Sequence, residues 1–206
     1  MTGLFEAYRQ MISLSRPRLA AFLVVLGVLL AVGSKSLAGE GGPTRQRRAP
    51  DFSLLDGQDK KVALSDYRGN VVLLQFFQTG CPTCQREAPV LEQLYRDYKD
   101  KGVVFVGISH DASGAEAIQA FTEKFEISYP LLVGDLEVAV RYVGITPQRS
   151  NFKIPHFFLI NREGMIVRDI APGTDTEFFS DEKRALERIL NELLAEPAAG
   201  KASPHH

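Results

Sequence analysis

The chain has 206 residues, a formal net charge of -1, 45% hydrophobic and 24% charged residues, and two cysteines. That balance suits one globular domain and gives no electrostatic ground for a nucleic-acid partner. Two cysteines exclude a disulfide framework, and a bridge across two residues would close a loop too small to constrain the unfolded chain much.

In chain order, residues 1–18 form a leader carrying Arg9, Arg16 and Arg18, expected on the cytoplasmic side. Leu19 to Val32 is a run of 14 residues without a charge. That is long enough for a signal-peptide core and short of the roughly 20 residues a membrane span needs. Gly33, Ser34 and the flanks extend it, so residues 19–35 are expected to be a membrane anchor or signal segment. Ser36 and Ala38 suit cleavage before Gly39, but the leader is long for a secretory signal; retention is expected and secretion after cleavage is the alternative. Lys35, Arg45, Arg47 and Arg48 follow the run, so the charges on its two sides nearly balance and leave the orientation open. Residues 36–49 are Gly-rich and basic and read as a solvated linker, the alternative being contact with anionic headgroups. Residues 50–195 are the expected domain and 196–206 a flexible tail.

Within the domain, Val71 to Phe77 is a continuous apolar run of strand length, as expected for a central strand covered on both faces. A helical pattern follows through Leu91, Leu94, Tyr95 and Tyr98 and stops at Gly102. Val103 to Ile108 reads as a second buried strand. Ser113 and Glu116 have capping-box spacing for a helix reaching about Phe125. A short strand at Pro130–Gly134 and a short helix at Leu136–Tyr142 come next. "HFFLI" and "MIVRDI" flank a turn of hairpin length, and an amphipathic helix is expected from about Thr176 to Leu194. The fold class is α/β: a central mixed sheet, parallel in its middle strands, with an antiparallel C-terminal hairpin and flanking helices.

Both cysteines lie in "FFQTGCPTCQREAP". Cys81 stands where the buried strand hands over to the helix, and unpaired N–H groups and the helix dipole favour a negative sulfur there. Cys84, three residues on, falls on the same side of the helix, and Pro82 suits the first turn. One sulfur is placed to attack a disulfide, the other to displace the first from a mixed disulfide. Glu87 lies one turn past Cys84, either facing solvent or approaching its sulfur.

The stretch "APDFSLLDGQDKKVALSDYRGNVVLLQFFQTGCPTCQREAPVLEQLY", together with "IPHFFLINREGMIV", resembles the TlpA/ResA-like thiol:disulfide oxidoreductases. These are thioredoxin-fold proteins of the redoxin and AhpC/TSA group, and the resemblance spans roughly Ala49 to Leu194. It implies that Cys81 is the nucleophile and Cys84 the resolving thiol. It also implies that Pro155 is a cis-proline facing the pair and that Ile154 offers backbone hydrogen bonds to a substrate strand. Pro89 within the helix matches the fold as well. Glu87 is implied to tune thiol ionisation: a charged carboxylate there would raise the thiol pKa, and its neutralisation would shift the couple by about 30 mV to a less negative potential. Implied partners are protein disulfide substrates, a membrane thiol electron donor, and the membrane through the N-terminal segment; no cofactor and no metal are implied. The expected activity is that of an extracytoplasmic reductase of envelope protein disulfides, apo-cytochrome c among them.

The chain departs from that family at Gly80, where tryptophan is usual, and in the longer segment "GITPQRSNFK" before Ile154. Two other readings differ in chemistry. A peroxiredoxin-like peroxidase needs threonine three residues before its cysteine, and Gln78 stands there. A copper-binding thioredoxin-fold chaperone would use both cysteines with His156, although such proteins usually have three residues between the cysteines. A closed zinc site needs four ligands, of which two are evident.

Overall fold

The computed structural model describes residues 46–144 and 152–196. The leader 1–18, the apolar segment 19–35, the linker up to residue 45, the segment 145–151 and the tail from 197 lie outside the described residues. Among the described residues no helix is long and apolar enough to cross a membrane.

The apolar run Val71–Phe77 is a strand, β4, with all seven residues buried. It pairs in parallel with β5 (Val103–Ser109), from Val71 opposite Val103 to Phe77 opposite Ser109. On its other side it pairs antiparallel with β7 (His156–Ile160), Phe76 opposite His156. Beyond β5 lies the short parallel β6 (Leu131–Val133), and beyond β7 the hairpin partner β8 (Met165–Ile170). Arg47–Arg48, β1, closes that edge antiparallel to β8. The order is therefore β1-β8-β7-β4-β5-β6, with a separate ribbon of β2 (Ser53–Leu55) and β3 (Lys61–Ala63).

Strand alternation sorts the core into two layers. Val71, Leu73 and Phe77 face one layer with helices α1 (Pro82–Tyr98), α2 (Gly114–Phe125) and α4 (Glu182–Ala195), through Leu91, Leu94, Phe121, Leu186 and Leu190. Val72, Leu74 and Phe76 face the other, with α3 (Leu136–Val143) and the β2–β3 ribbon, through Val138, Tyr142, Leu54 and Val62. At about 25 cal/mol per Å² of apolar surface, each such side chain contributes about 1.5–3 kcal/mol. Two glycines are required by geometry. Gly102 ends α1 and its short 3₁₀ extension at φ 82°, and a Cβ on Gly107 would come within 2.5 Å of Leu131.

The structure moves two expected boundaries and lacks one expected cap bond. The domain was expected from residue 50, yet Arg47 and Arg48 are paired and the Ala49 N–H donates to Gly164 O at 2.9 Å. Arg47 also lies over the Phe158 ring and donates to Tyr142 O, so it belongs to the domain edge rather than to a solvated linker. Ser113 precedes α2 without any side-chain cap bond, because its ψ of 1° is not the extended conformation that capping needs. The last helix starts at Glu182, capped by Asp181 on the Arg184 N–H. Before it, Asp175 caps the Phe178 N–H at 2.9 Å, and Phe178–Ser180 forms a separate 3₁₀ turn.

Candidate active site

The C-terminal end of β4 leads into a turn tied down from β5. Asp111 accepts the Thr79 N–H at 2.8 Å and the Ser109 hydroxyl, and Gln85 donates back to Thr79 O at 2.8 Å. Gln78, where a peroxidase would carry threonine, accepts the Cys81 N–H at its carbonyl and reaches His110 O with its amide. Asp111 escapes sequence reasoning, because the turn residue it holds, Thr79, is 32 residues away.

Cys81 is the N-cap of α1, with extended backbone (φ -74°, ψ 119°) and Pro82 entering the first turn. Its sulfur accepts the Cys84 N–H at 3.4 Å, one of the orphan donors of a helix start. Both cysteines are free thiols, Cys81 half-exposed and Cys84 buried at 2%. Burial pushes the Cys84 thiol up, assisted by its bond with Cys81 and opposed by a backbone hydrogen bond from Gln78. A thiol that solvent reaches thus stands beside one kept protonated in the core.

The Ile154–Pro155 bond is cis, as the resemblance implies. Ile154 and Cys81 are half-buried on the same core layer. Ile154 also lines a cleft of about 450 Å³ with Thr83, Arg86, Glu87, Phe179 and Glu182. Larger clefts, of about 670 and 610 Å³, lie along Asp51–Ser65–Arg141 and Arg48–Tyr67–Arg162 and contain neither cysteine. Chemistry, not volume, marks the site. At Gly80 an added Cβ would meet nothing within 4 Å, so this flank of Cys81 is open.

Glu87 is only 5% exposed, which overturns the solvent-facing alternative. Gln75 on β4 has the parity that faces α1, and its amide donates to Glu87 Oε2 at 3.2 Å. Burial, then the charge and contact of Glu182, push the Glu87 carboxyl up to about 10. At neutral pH it is the uncharged acid. The expected penalty of a charged carboxylate on the thiolate is therefore absent there, and Glu87→Gln exchanges one neutral group for another. Glu182, on the first turn of α4, is a site neighbour that sequence reasoning missed.

His156 does not join the cysteines. Its ring stacks on Phe158 at 4.6 Å in the opposite core layer, and its Nε2 lies 2.7 Å from Asp169. His110 likewise stacks on Phe76. Among the described residues no group of three or more His, Cys, Asp or Glu is set to hold a metal. Of the insertion before Ile154, Phe152 is described and packs edge-on against Phe76 and His110.

The sequence model of the AhpC/TSA family matches residues 46–169. The chain is 33% identical over 141 residues to the thiol-disulfide oxidoreductase ResA of Geobacillus thermodenitrificans, covering 68% of this chain and 75% of that one. It is 30% identical over 149 residues to the thioredoxin-like protein YneN of Bacillus subtilis, covering 72% and 83%. The solution structure of a thiol:disulfide interchange protein from Bacteroides sp. superposes with a TM-score of 0.55 at 26% identity, covering 77% of this chain and 95% of that one. With the strand–turn–helix dithiol and the cis bond before Pro155, these likenesses identify the chain as a member of the AhpC/TSA family and a thioredoxin-fold thiol:disulfide oxidoreductase.

Proposed function

We propose that this chain is tethered to the membrane by residues 19–35 and reduces disulfides of envelope proteins on the extracytoplasmic side, apo-cytochrome c being one candidate substrate. The observation that carries the dithiol chemistry is the asymmetry of the pair: Cys81 half-exposed at a helix N-cap, Cys84 buried behind it. In the first step the Cys81 thiolate attacks a substrate disulfide, forming one S–S bond and releasing one substrate thiolate. Cys84 then loses its proton and attacks Cys81, expelling the second substrate thiolate and leaving Cys81–Cys84 oxidised. Two electrons pass to the substrate, and a membrane thiol donor returns them. Ile154, which precedes the cis-proline Pro155, lines the cleft with Thr83 and Glu87 and packs on the same core layer as Cys81, so a substrate strand is proposed to lie against its backbone. The outward orientation rests on the family resemblance, since the flanking charges balance.

A glutathione redox titration of the full chain in detergent, read by alkylation and mass, tests this reading. We expect one two-electron couple that disappears in Cys81→Ser and in Cys84→Ser, and disulfide exchange that outpaces peroxide consumption. Thiols that stay free across the glutathione range overturn it, as does peroxide turnover faster than exchange.

A further inference from the structure

We propose that Glu182 is the proton partner of Glu87: the two carboxyls share one proton across the cleft beside Ile154, Glu87 as the acid and Glu182 as the carboxylate. In this pairing Glu182 is a positioning residue that keeps negative charge away from the cysteines.

The argument starts from unsatisfied atoms. Glu87 Oε1 and Glu182 Oε1 are both buried, and neither has a donor among the surrounding groups. Both side chains line the same cleft beside Ile154, and the rise of the Glu87 carboxyl includes its interaction with Glu182. Two carboxylate oxygens only repel, and a buried unsatisfied one costs about 1–3 kcal/mol or more. A single proton between them satisfies both. Gln75 completes the arrangement by donating to the remaining oxygen, Glu87 Oε2.

The surroundings decide where the proton stays. Glu182 opens α4, where the free N–H groups and the helix dipole favour a negative charge. Glu87 lies mid-helix in α1, in the second turn past the dipole's favourable end, and is the more deeply buried of the two. The pKa directions agree: Glu87 is pushed up to about 10 and Glu182 to about 7, the contact raising the first and lowering the second. The other groups that face the pair are few. Arg86 on α1 opposes the rise of Glu87, but it is exposed and donates to Thr83. Buried Tyr129 feels both carboxyls, and Val90, Ile154, Pro172 and Phe179 wall the cleft with apolar surface. Glu87 is the carboxyl that the cysteines feel: Cys81 acts on Glu87, and Glu87 acts on Cys84.

This gives Glu182 a role in the dithiol reading of the site, on which its functional meaning rests. Between about pH 7 and pH 10 the one charge of the pair sits on Glu182 of α4 and the thiols face a neutral acid. In Glu182→Gln the repulsion is gone and the new amide can donate to Glu87, so Glu87 ionises earlier and places its charge beside Cys84.

The test is a ¹³C-carboxyl NMR titration of the full chain in detergent, with the Glu87 resonance assigned by its loss in Glu87→Gln. It is run in the Cys81→Ser/Cys84→Ser background, so its outcome is independent of whether the dithiol reading holds. In the parent we expect Glu87 to titrate far above the ordinary carboxylate range, and in Glu182→Gln to move down by about one pH unit or more. Glu182→Asp, which keeps the charge but withdraws it by one methylene, should give a smaller downward shift and serves if Glu182→Gln does not fold. With the cysteines restored, the alkylation midpoint of Cys84 should rise in Glu182→Gln. A Glu87 titration in the ordinary range, or one that neither variant moves, overturns the pairing.

Discussion

Helix α1 carries two buried glutamates, each 5% exposed, that meet opposite surroundings. Glu92, near its far end, accepts from Arg96 Nε at 2.6 Å, from the Ser128 N–H at 2.8 Å and from the Ser128 hydroxyl at 2.7 Å. Glu87, one turn past Cys84, has a single amide donor and a second carboxyl for company. The first is a charge satisfied by donors, and it ties α1 to the loop before β6. The second is an acid that the fold keeps protonated. Burial alone does not say what a carboxyl does; the count of donors around it does.

The largest expected difference is in pH dependence. The folded-state pKa of Glu87, about 10, lies above its ordinary value of 4.5, so the folded protein binds the extra proton between them. The corresponding stability is fully present below pH 4.5 and falls as pH rises towards 10. Between pH 4.5 and pH 7 the loss is about 3 kcal/mol. Glu87→Gln removes it, so urea unfolding should show the variant gaining on the parent as pH rises and matching it near pH 4.5. Parallel stability profiles would erase the distinction between the two glutamates.

A smaller effect of opposite sign is expected at the other end. Glu92→Ala leaves the Ser128 donors unpaired and should cost about 2 kcal/mol at neutral pH, without moving the thiol titration. A change in thiol titration would mean that the ends of α1 are coupled. Smallest is Arg96→Gln. The Arg96 side chain is 57% exposed, so the loss should be about 0.5 kcal/mol and shrink further in high salt.

The contrast also shows what a sequence reveals. The strands β4 and β5 and the stop of α1 were legible, because seven-residue apolar runs and a Gly at a helix end are local signals. The order of the cysteines on the helix was legible for the same reason. Arg47 and Arg48 were not, since an edge strand of two basic residues is made by backbone pairing with β8 and by Arg47 contacts to Tyr142 and Phe158, all distant in sequence. Nor was the late start of α4, where Asp175 and Asp181 compete as caps and the first wins only a short turn. The sequence left Glu87 open between solvent and the Cys84 sulfur, and its charge state depends on Glu182, a residue brought to it only by the packing of α4 on α1. His156 follows the cis-proline in sequence, yet strand alternation turns it to the opposite face.

The central claim is that exposure divides the labour of the two cysteines, and trapping in cells tests it most directly. Non-reducing gels of the full chain should show Cys84→Ser accumulating mixed disulfides with client proteins, because Cys81 can attack and nothing releases it. Cys81→Ser should trap almost none, since the remaining thiol is buried. Equal trapping by the two variants, or trapping by Cys81→Ser alone, would contradict the account.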